Sequence, residues 1–296
     1  NKTVLKRIIL SLALLLPLAS SAQQHHEFGL SAGISSYYGD LQPELFPDNN
    51  THAMGGIMYK YFMNPHVGLR FGVAYTKLSA ADSLSRIPAR IERNLTFETG
   101  LLEFHGGFEF NLLPIEKDRI KFTPYAFLGI AVFRFNPYTR GSQGEQIYLR
   151  PLGTEGQNIP LYPDRKEYKL VNVSFPIGGG LKFFLGKTFM ITPEIGFRYT
   201  NTDYLDDVSK SYVNMNTLKE YRGQQAVDYS FRTDELPGWE SEKFYPDYRY
   251  QRGDSKSNDL YWFGNLTVTV YLNAFGNLHD YWQANCPAFL KSGRTR

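Results

Sequence analysis

Along most of the chain, hydrophobic residues alternate with small, polar or charged ones at a period of two. In HVGLRFGVAYTKL (residues 66–78) one face carries Val67, Leu69, Phe71, Val73 and Tyr75, and the other Gly68, Arg70, Gly72, Ala74 and Thr76. GNLTVTVYLN (264–273) and FMITPEIGFRYT (189–200) repeat the pattern, with Leu266, Val268 and Val270 against Thr267 and Thr269, and Ile191, Ile195 and Phe197 against Thr192, Glu194 and Arg198. Side chains of a β-strand point alternately to its two faces, so this period predicts strands with one oily face. Eight such segments are predicted, at about 27–38, 52–62, 66–78, 97–111, 122–135, 169–185, 189–201 and 259–273. The fifth, FTPYAFLGIAVFRF, is apolar on both faces and is the least clear of the eight.

The second, fourth and sixth connections are short, whereas the first, third, fifth and seventh run to about 13, 18, 33 and 57 residues. Short turns on one side and long loops on the other are the asymmetry of an outer-membrane barrel. Strands of this length also exceed the roughly 9–11 residues needed to cross hydrocarbon at a tilt. The predicted fold class is therefore all-β: an eight-stranded antiparallel up-and-down transmembrane barrel, with long extracellular loops and a short periplasmic C-terminal tail. Tyr59, Tyr61, Tyr75, Tyr199 and Phe110 fall where an interfacial aromatic girdle is expected.

Composition agrees. Aromatic residues make up 16% of the chain and 26 glycines accompany them. Residues 1–22 combine Lys2, Lys6 and Arg7, an apolar run and small residues ending at Ala22, the three-part pattern of a secretory signal peptide. The expected division is a signal peptide at 1–22, the barrel at 23–274 and a periplasmic tail at 275–296. Without the leader, 29 basic residues face 29 acidic ones (32 less Lys2, Lys6 and Arg7), so net charge offers no argument for nucleic acid. The single cysteine, Cys286, excludes an internal disulfide framework and leaves an intermolecular disulfide or a free thiol.

Under this register the lumen face collects Lys60, Arg70, Lys182 and Arg198 with Glu103, Glu109 and Glu194. An eight-stranded interior is just wide enough for side chains to fill it, and charges removed from water need partners. Ion pairs plugging the tube are the expectation, with a proton or ion pathway as the sharper alternative. Asp203, Asp206 and Asp207, at the exit of the seventh strand, are a weak candidate for a cation site. Aspartates at a strand exit more often bracket a loop through backbone N–H groups. Gly178–Gly180 lie inside a strand without the GK[ST] of a phosphate loop, and Arg252–Gly253–Asp254 are three common residues in a loop. His105 stands beside Glu103, and His25 and His26 are expected to be solvated. No nucleophile with a positioned base can be named, so no catalytic residue, cofactor or enzymatic activity is expected.

The tail is too short for a domain yet carries Phe275, Tyr281, Trp282 and Phe289 beside Cys286. Disordered tails are poor in aromatics and interfaces rich in them, so residues 278–290 are expected to pack on a periplasmic partner or to cover the barrel's periplasmic mouth.

Four stretches go beyond barrel grammar: SSYYGDLQ after the first strand, LRPLGTEGQ in the fifth connection, FRYTNTDYLDDVS at the seventh strand and GDSKSNDLYWF before the eighth. In that order, behind SSAQQ, they resemble the PorG family of Bacteroidetes outer-membrane proteins, barrel components of the type IX secretion system. The resemblance spans nearly the whole chain after the leader, and TDYLDDVS is its most specific element. It implies a non-enzymatic barrel in the outer membrane of a Bacteroidetes bacterium, serving protein transport and gliding motility. Its implied partners are the periplasmic ring lipoprotein PorK and PorN, on which the tail would dock. A narrow channel or a surface-binding barrel of unrelated role is the alternative.

Overall fold

Every long strand pairs antiparallel with its neighbour in the chain, and the last pairs with the first. The structure, a computed structural model, describes residues 25–113, 122–185, 188–238 and 246–271. The strands are β1 (His25–Tyr38), β2 (His52–Phe62), β3 (Val67–Ala81), β4 (Thr96–Asn111), β5 (Phe122–Arg134), β6 (Tyr138–Arg140), β7 (Gln146–Tyr148), β8 (Val171–Leu185), β9 (Phe189–Thr200) and β10 (Leu260–Tyr271). The eight long ones run in the order β3-β2-β1-β10-β9-β8-β5-β4, and a β3–β4 pairing closes the ring. Closure leaves no sheet edge unpaired, which is the condition for β-structure to span a bilayer. No helix among the described residues is long and apolar enough to cross a membrane.

Alternation fixes which face is wet. Phe28, Leu30, Ile57, Phe71, Phe104, Leu128, Ile130, Phe175, Ile177, Phe189, Leu266 and Val268 all point outward and are exposed. Water-soluble proteins rarely expose a contiguous apolar patch above a few hundred Å², whereas this belt encircles every strand and fits lipid. Tyr59, Tyr75, Tyr199 and Phe110 are among its exposed aromatics, with Tyr75 62% exposed. Beyond Tyr75 the outer face turns polar. Lys77 pairs with Glu98 at 2.5 Å and Arg140 with Glu98 at 3.1 Å, so β3 and β4 continue past the apolar belt into water.

The short turn between β2 and β3 is held by Asn64, whose Oδ1 accepts from His66 N–H and Val67 N–H. The long connections lie at the opposite end and are folded. Their described residues contain the β6–β7 hairpin and four α-helices: α1 (Pro88–Arg93), α2 (Leu149–Leu152), α3 (Met215–Arg222) and α4 (Gln224–Ser230). Asn214 caps α3 by accepting from Thr217 N–H. Met215, Leu218, Ala226, Val227 and Phe231 bury a small core of their own with Ile159, Tyr212 and Val213.

Inside the barrel, the half nearer the long loops is apolar. Leu78, Phe97, Leu101, Phe133 and Phe263 form one cluster that continues upward into Leu41, Leu149, Leu205 and Val208 of the loops. This explains the fifth predicted strand: β5 is apolar on both faces because Phe127 and Phe133 point inward while Leu128, Ile130 and Val132 face lipid.

Candidate functional site

The lower half of the lumen holds the charges. Glu109 receives Lys182 at 2.5 Å and Lys60 at 2.7 Å, with Arg70 at 3.6 Å. Arg70 then makes a two-pronged pair with Glu194, 2.9 Å on each prong, and Tyr125 donates to the same carboxylate at 2.6 Å. Higher up, Arg198 meets Glu103 at 3.3 Å, Tyr261 donates to Glu103 at 2.6 Å, and His105 Nδ1 lies 2.9 Å from its other oxygen. All seven charged residues expected in the lumen are buried there. Aromatic faces carry part of the cationic charge, with Arg70 3.8 Å over Phe127, Arg198 4.0 Å over Phe263 and Lys182 4.2 Å over Phe62.

An eighth charge joins them. Glu27 is fully buried, 3.8 Å from Lys182 and 3.0 Å from His25. With it, the acids Glu27, Glu103, Glu109 and Glu194 match the bases Lys60, Arg70, Lys182 and Arg198 in number. Unpaired ions out of water cost several kcal/mol each, so a balanced set is what a closed lumen requires. His25 corrects an expectation. It is not solvated: it stacks between Phe62 and Tyr271, at 4.6 and 4.5 Å, and closes the lower mouth. The strand begins two residues earlier than alternation indicated, which brings His25 inside on the same face as Glu27. His26 points outward to the Tyr59 hydroxyl at 2.8 Å.

Above the barrel, the four stretches that carry the family resemblance converge. Tyr37 and Asp40 come from the first, Thr154 and Glu155 from the second, Asp206 and Asp207 from the third, and Asp254 and Asp259 from the fourth. Tyr37 Oη lies 2.7 Å from both Asp206 and Asp259. Asp40 accepts from Asp254 N–H at 2.8 Å. Glu155 accepts from the backbone N–H groups of Ser209 and Lys210 and pairs with Arg252 at 3.2 Å. Asp207 accepts from Thr154 Oγ1 and Tyr168 Oη, at 2.5 and 2.7 Å, and Arg252 donates to its carbonyl. Burial pushes the Asp207 carboxyl up to about 6 against the pull of Arg252, and pushes Asp203 up to about 8, with Asp206 and Asp40 adding to the rise.

The two adjacent aspartates divide their work. Asp206 Oδ1 accepts from Val208 N–H at 2.9 Å, as a loop bracket does. Asp207 instead sits at φ 66°, in the left-handed region that aspartate tolerates, and turns its side chain to Thr154, Tyr168 and Arg252. Asp203, Asp206 and Asp207 therefore do not converge, and among the described residues no group of three acidic, histidine or cysteine side chains is placed to hold a metal ion. Arg252 is 2% exposed and fully engaged, so Arg252–Gly253–Asp254 is not a displayed motif. The tail residues Phe275, Tyr281, Trp282, Cys286 and Phe289, and the leader, lie outside the described residues.

Sequence reasoning missed the apolar upper plug, Glu27 and the loop core. Each left a signal: the two-sided apolarity of β5, the place of Glu27 on the face opposite Phe28 and Leu30, and the cap and helical spacing of α3.

No curated protein matches the chain. Among solved structures it is similar to Neisserial surface protein A, at 10% identity and a TM-score of 0.40, over 83% of this chain and 96% of that one. It is similar also to the N-terminal β-barrel domain of Pseudomonas aeruginosa OprF, at 11% identity and 0.34, over 84% and 100%. A third is Ail, the attachment invasion locus protein of Yersinia pestis, at 10% identity and 0.36, over 84% and 96%. The family model that matches, over residues 6–224, is described as Domain of unknown function (DUF6089), and the chain belongs to that family.

Proposed function

We propose that this chain is a non-enzymatic outer-membrane barrel of the type IX protein secretion system of a Bacteroidetes bacterium, and that it anchors the periplasmic PorK/PorN ring at the outer membrane. The observation that carries this reading is the filled lumen. A tube closed by eight paired charges below and an aromatic and aliphatic core above offers no path to a solute. What remains available for function is its rims and its hold on the bilayer, which is what an anchor uses. The resemblance of four stretches to PorG proteins names the system, and the aromatic tail beyond residue 274 supplies the surface for docking.

The test is affinity purification from native outer membranes, with mass spectrometry, of the full chain and of a chain truncated after Ala274. Ring proteins should co-purify with the full chain and be lost on truncation, while the truncated barrel still inserts. Absence of ring proteins from the full-chain sample contradicts the reading. Their equal recovery with the truncated chain contradicts docking through the tail. A second reading, a small barrel working at the outer face, is favoured by the separately cored cap of α3 and α4. Recovery of surface components in place of the ring would select it.

A further inference from the structure

The neck of the longest loop contains a contact that one tyrosine proton cannot satisfy. Tyr37 Oη lies 2.7 Å from Asp206 Oδ2 and 2.7 Å from Asp259 Oδ1. The second oxygen of each carboxyl is already taken, by Val208 N–H at 2.9 Å and Leu205 N–H at 2.8 Å. A phenol has a single hydrogen to donate, and an ionised carboxylate can only accept. With both carboxyls ionised, one of the two contacts would press a carboxylate oxygen against a phenol lone pair. All three groups are out of water, at 0%, 1% and 1% exposure. An unpaired buried contact of that kind is strongly unfavourable. A proton on one carboxyl, donated to the phenol oxygen, resolves it.

We propose that Asp206 and Asp259 hold one shared proton over Tyr37, and that this proton locks the outer loop onto the barrel rim and lets alkaline conditions at the outer face release it. Asp206 stands near the start of the loop, Asp259 at its end and Tyr37 at the top of β1, so the three staple both ends of the loop to the wall. No described ion pair involves either carboxyl. Besides Tyr37 and each other, the charged and titratable groups that act on them are Asp40 on the first loop, Arg93 after β3 and Asp203 on the longest. Of the nearest bases, Arg93 is spent on Asp82, at 2.7 Å, and on the backbone carbonyls of Asp40 and Arg252. Arg252 is spent on Glu155 and Asp207. Burial, reinforced by Asp40, raises the Asp206 carboxyl to about 8, and burial with the Asp206 charge carries Asp259 well above the carboxylate range. The sign follows. A carboxyl raised on folding gives its full stability below its unfolded value and loses it as pH rises through the folded one, with the proton passing to solvent.

The test is limited proteolysis of the full chain refolded in detergent, beside Asp206→Asn, whose neutral amide donates where the protonated carboxyl would. Taking the wild-type to variant cleavage ratio at each pH cancels the protease's own pH dependence. The ratio should rise about tenfold for each pH unit from the ordinary carboxylate value, about 4, up to the transition of the closed loop, and level off above it. A ratio flat to about pH 10 overturns the proposal. Should Asp206→Asn fail to show the unheated gel mobility of a closed barrel, Asp259→Asn replaces it. Independently of any variant, the infrared band of a buried protonated carboxyl should be present in the wild type at about pH 6 and lost by about pH 10; its absence at the lower pH also overturns the proposal. So does increased wild-type cleavage on adding a chelator at about pH 6, since a cation would then be joining the carboxyls.

Discussion

Gly178 and Gly180 face the lumen from β8, where any side chain would collide with its neighbours. A Cβ on Gly178 would lie 2.2 Å from the Ile195 carbonyl oxygen and 2.7 Å from the Phe127 ring, and one on Gly180 would lie 2.3 Å from the Pro193 carbonyl and 2.9 Å from Tyr125 Oη. Their absence of side chain lets Phe127 and Tyr125 lie against the wall, where Phe127 carries the Arg70 guanidinium and Tyr125 donates to Glu194. Gly180→Val should therefore lower stability by about 1–3 kcal/mol, measured by urea unfolding in lipid vesicles. An unchanged midpoint would mean that the rings are not wedged there. At this scale the sequence told which residues face the lumen, because parity along a strand decides that. It did not tell who pairs with whom: Arg70 and Glu194 meet across 124 positions, through the barrel's stagger, which no single strand encodes.

The strands were legible almost to their ends, since each has a buried and a lipid face of contrasting chemistry. The short β6–β7 hairpin and the four helices were not. In α3 the signals exist, Asn214 as cap, Met215 and Leu218 at helical spacing and Gly223 after the end, but a helix of 8 residues offers too few turns for periodicity to stand out from a loop. Nor could strand-by-strand reading show that Tyr37, Asp206 and Asp259 meet, because their juxtaposition depends on how separate loops fold together. The two faces of β10 give a direct check of the assignment. Val268 sits near the middle of the exposed belt and Thr267 beside it is 1% exposed in the interior. Val268→Arg should cost about 2–4 kcal/mol in vesicles, as for a cation at midplane depth, whereas Thr267→Ser should change stability by about 0.5 kcal/mol or less. Equal effects on the two faces would contradict the register.

The whole molecule combines a lipid-facing belt, a lumen filled by ion pairs and an apolar core, and a folded cap that draws its buried charges from four separate loops. Eight strands leave room inside for side chains alone, and here that room is taken up by Glu109 and its three cations and by Phe97, Phe133 and Phe263 above them. Such a barrel holds its place in the membrane and presents rims, and the proposed anchoring role rests on its being closed. Planar-bilayer recording of the purified full chain measures that property. Insertion without unitary conductance steps is expected, at neutral pH and in the alkaline range where the outer loop is released, because the ionic layer lies below that loop and keeps its pairs. Reproducible steps of steady size would contradict it, since they would require an open water path past Arg70, Glu109 and Lys182.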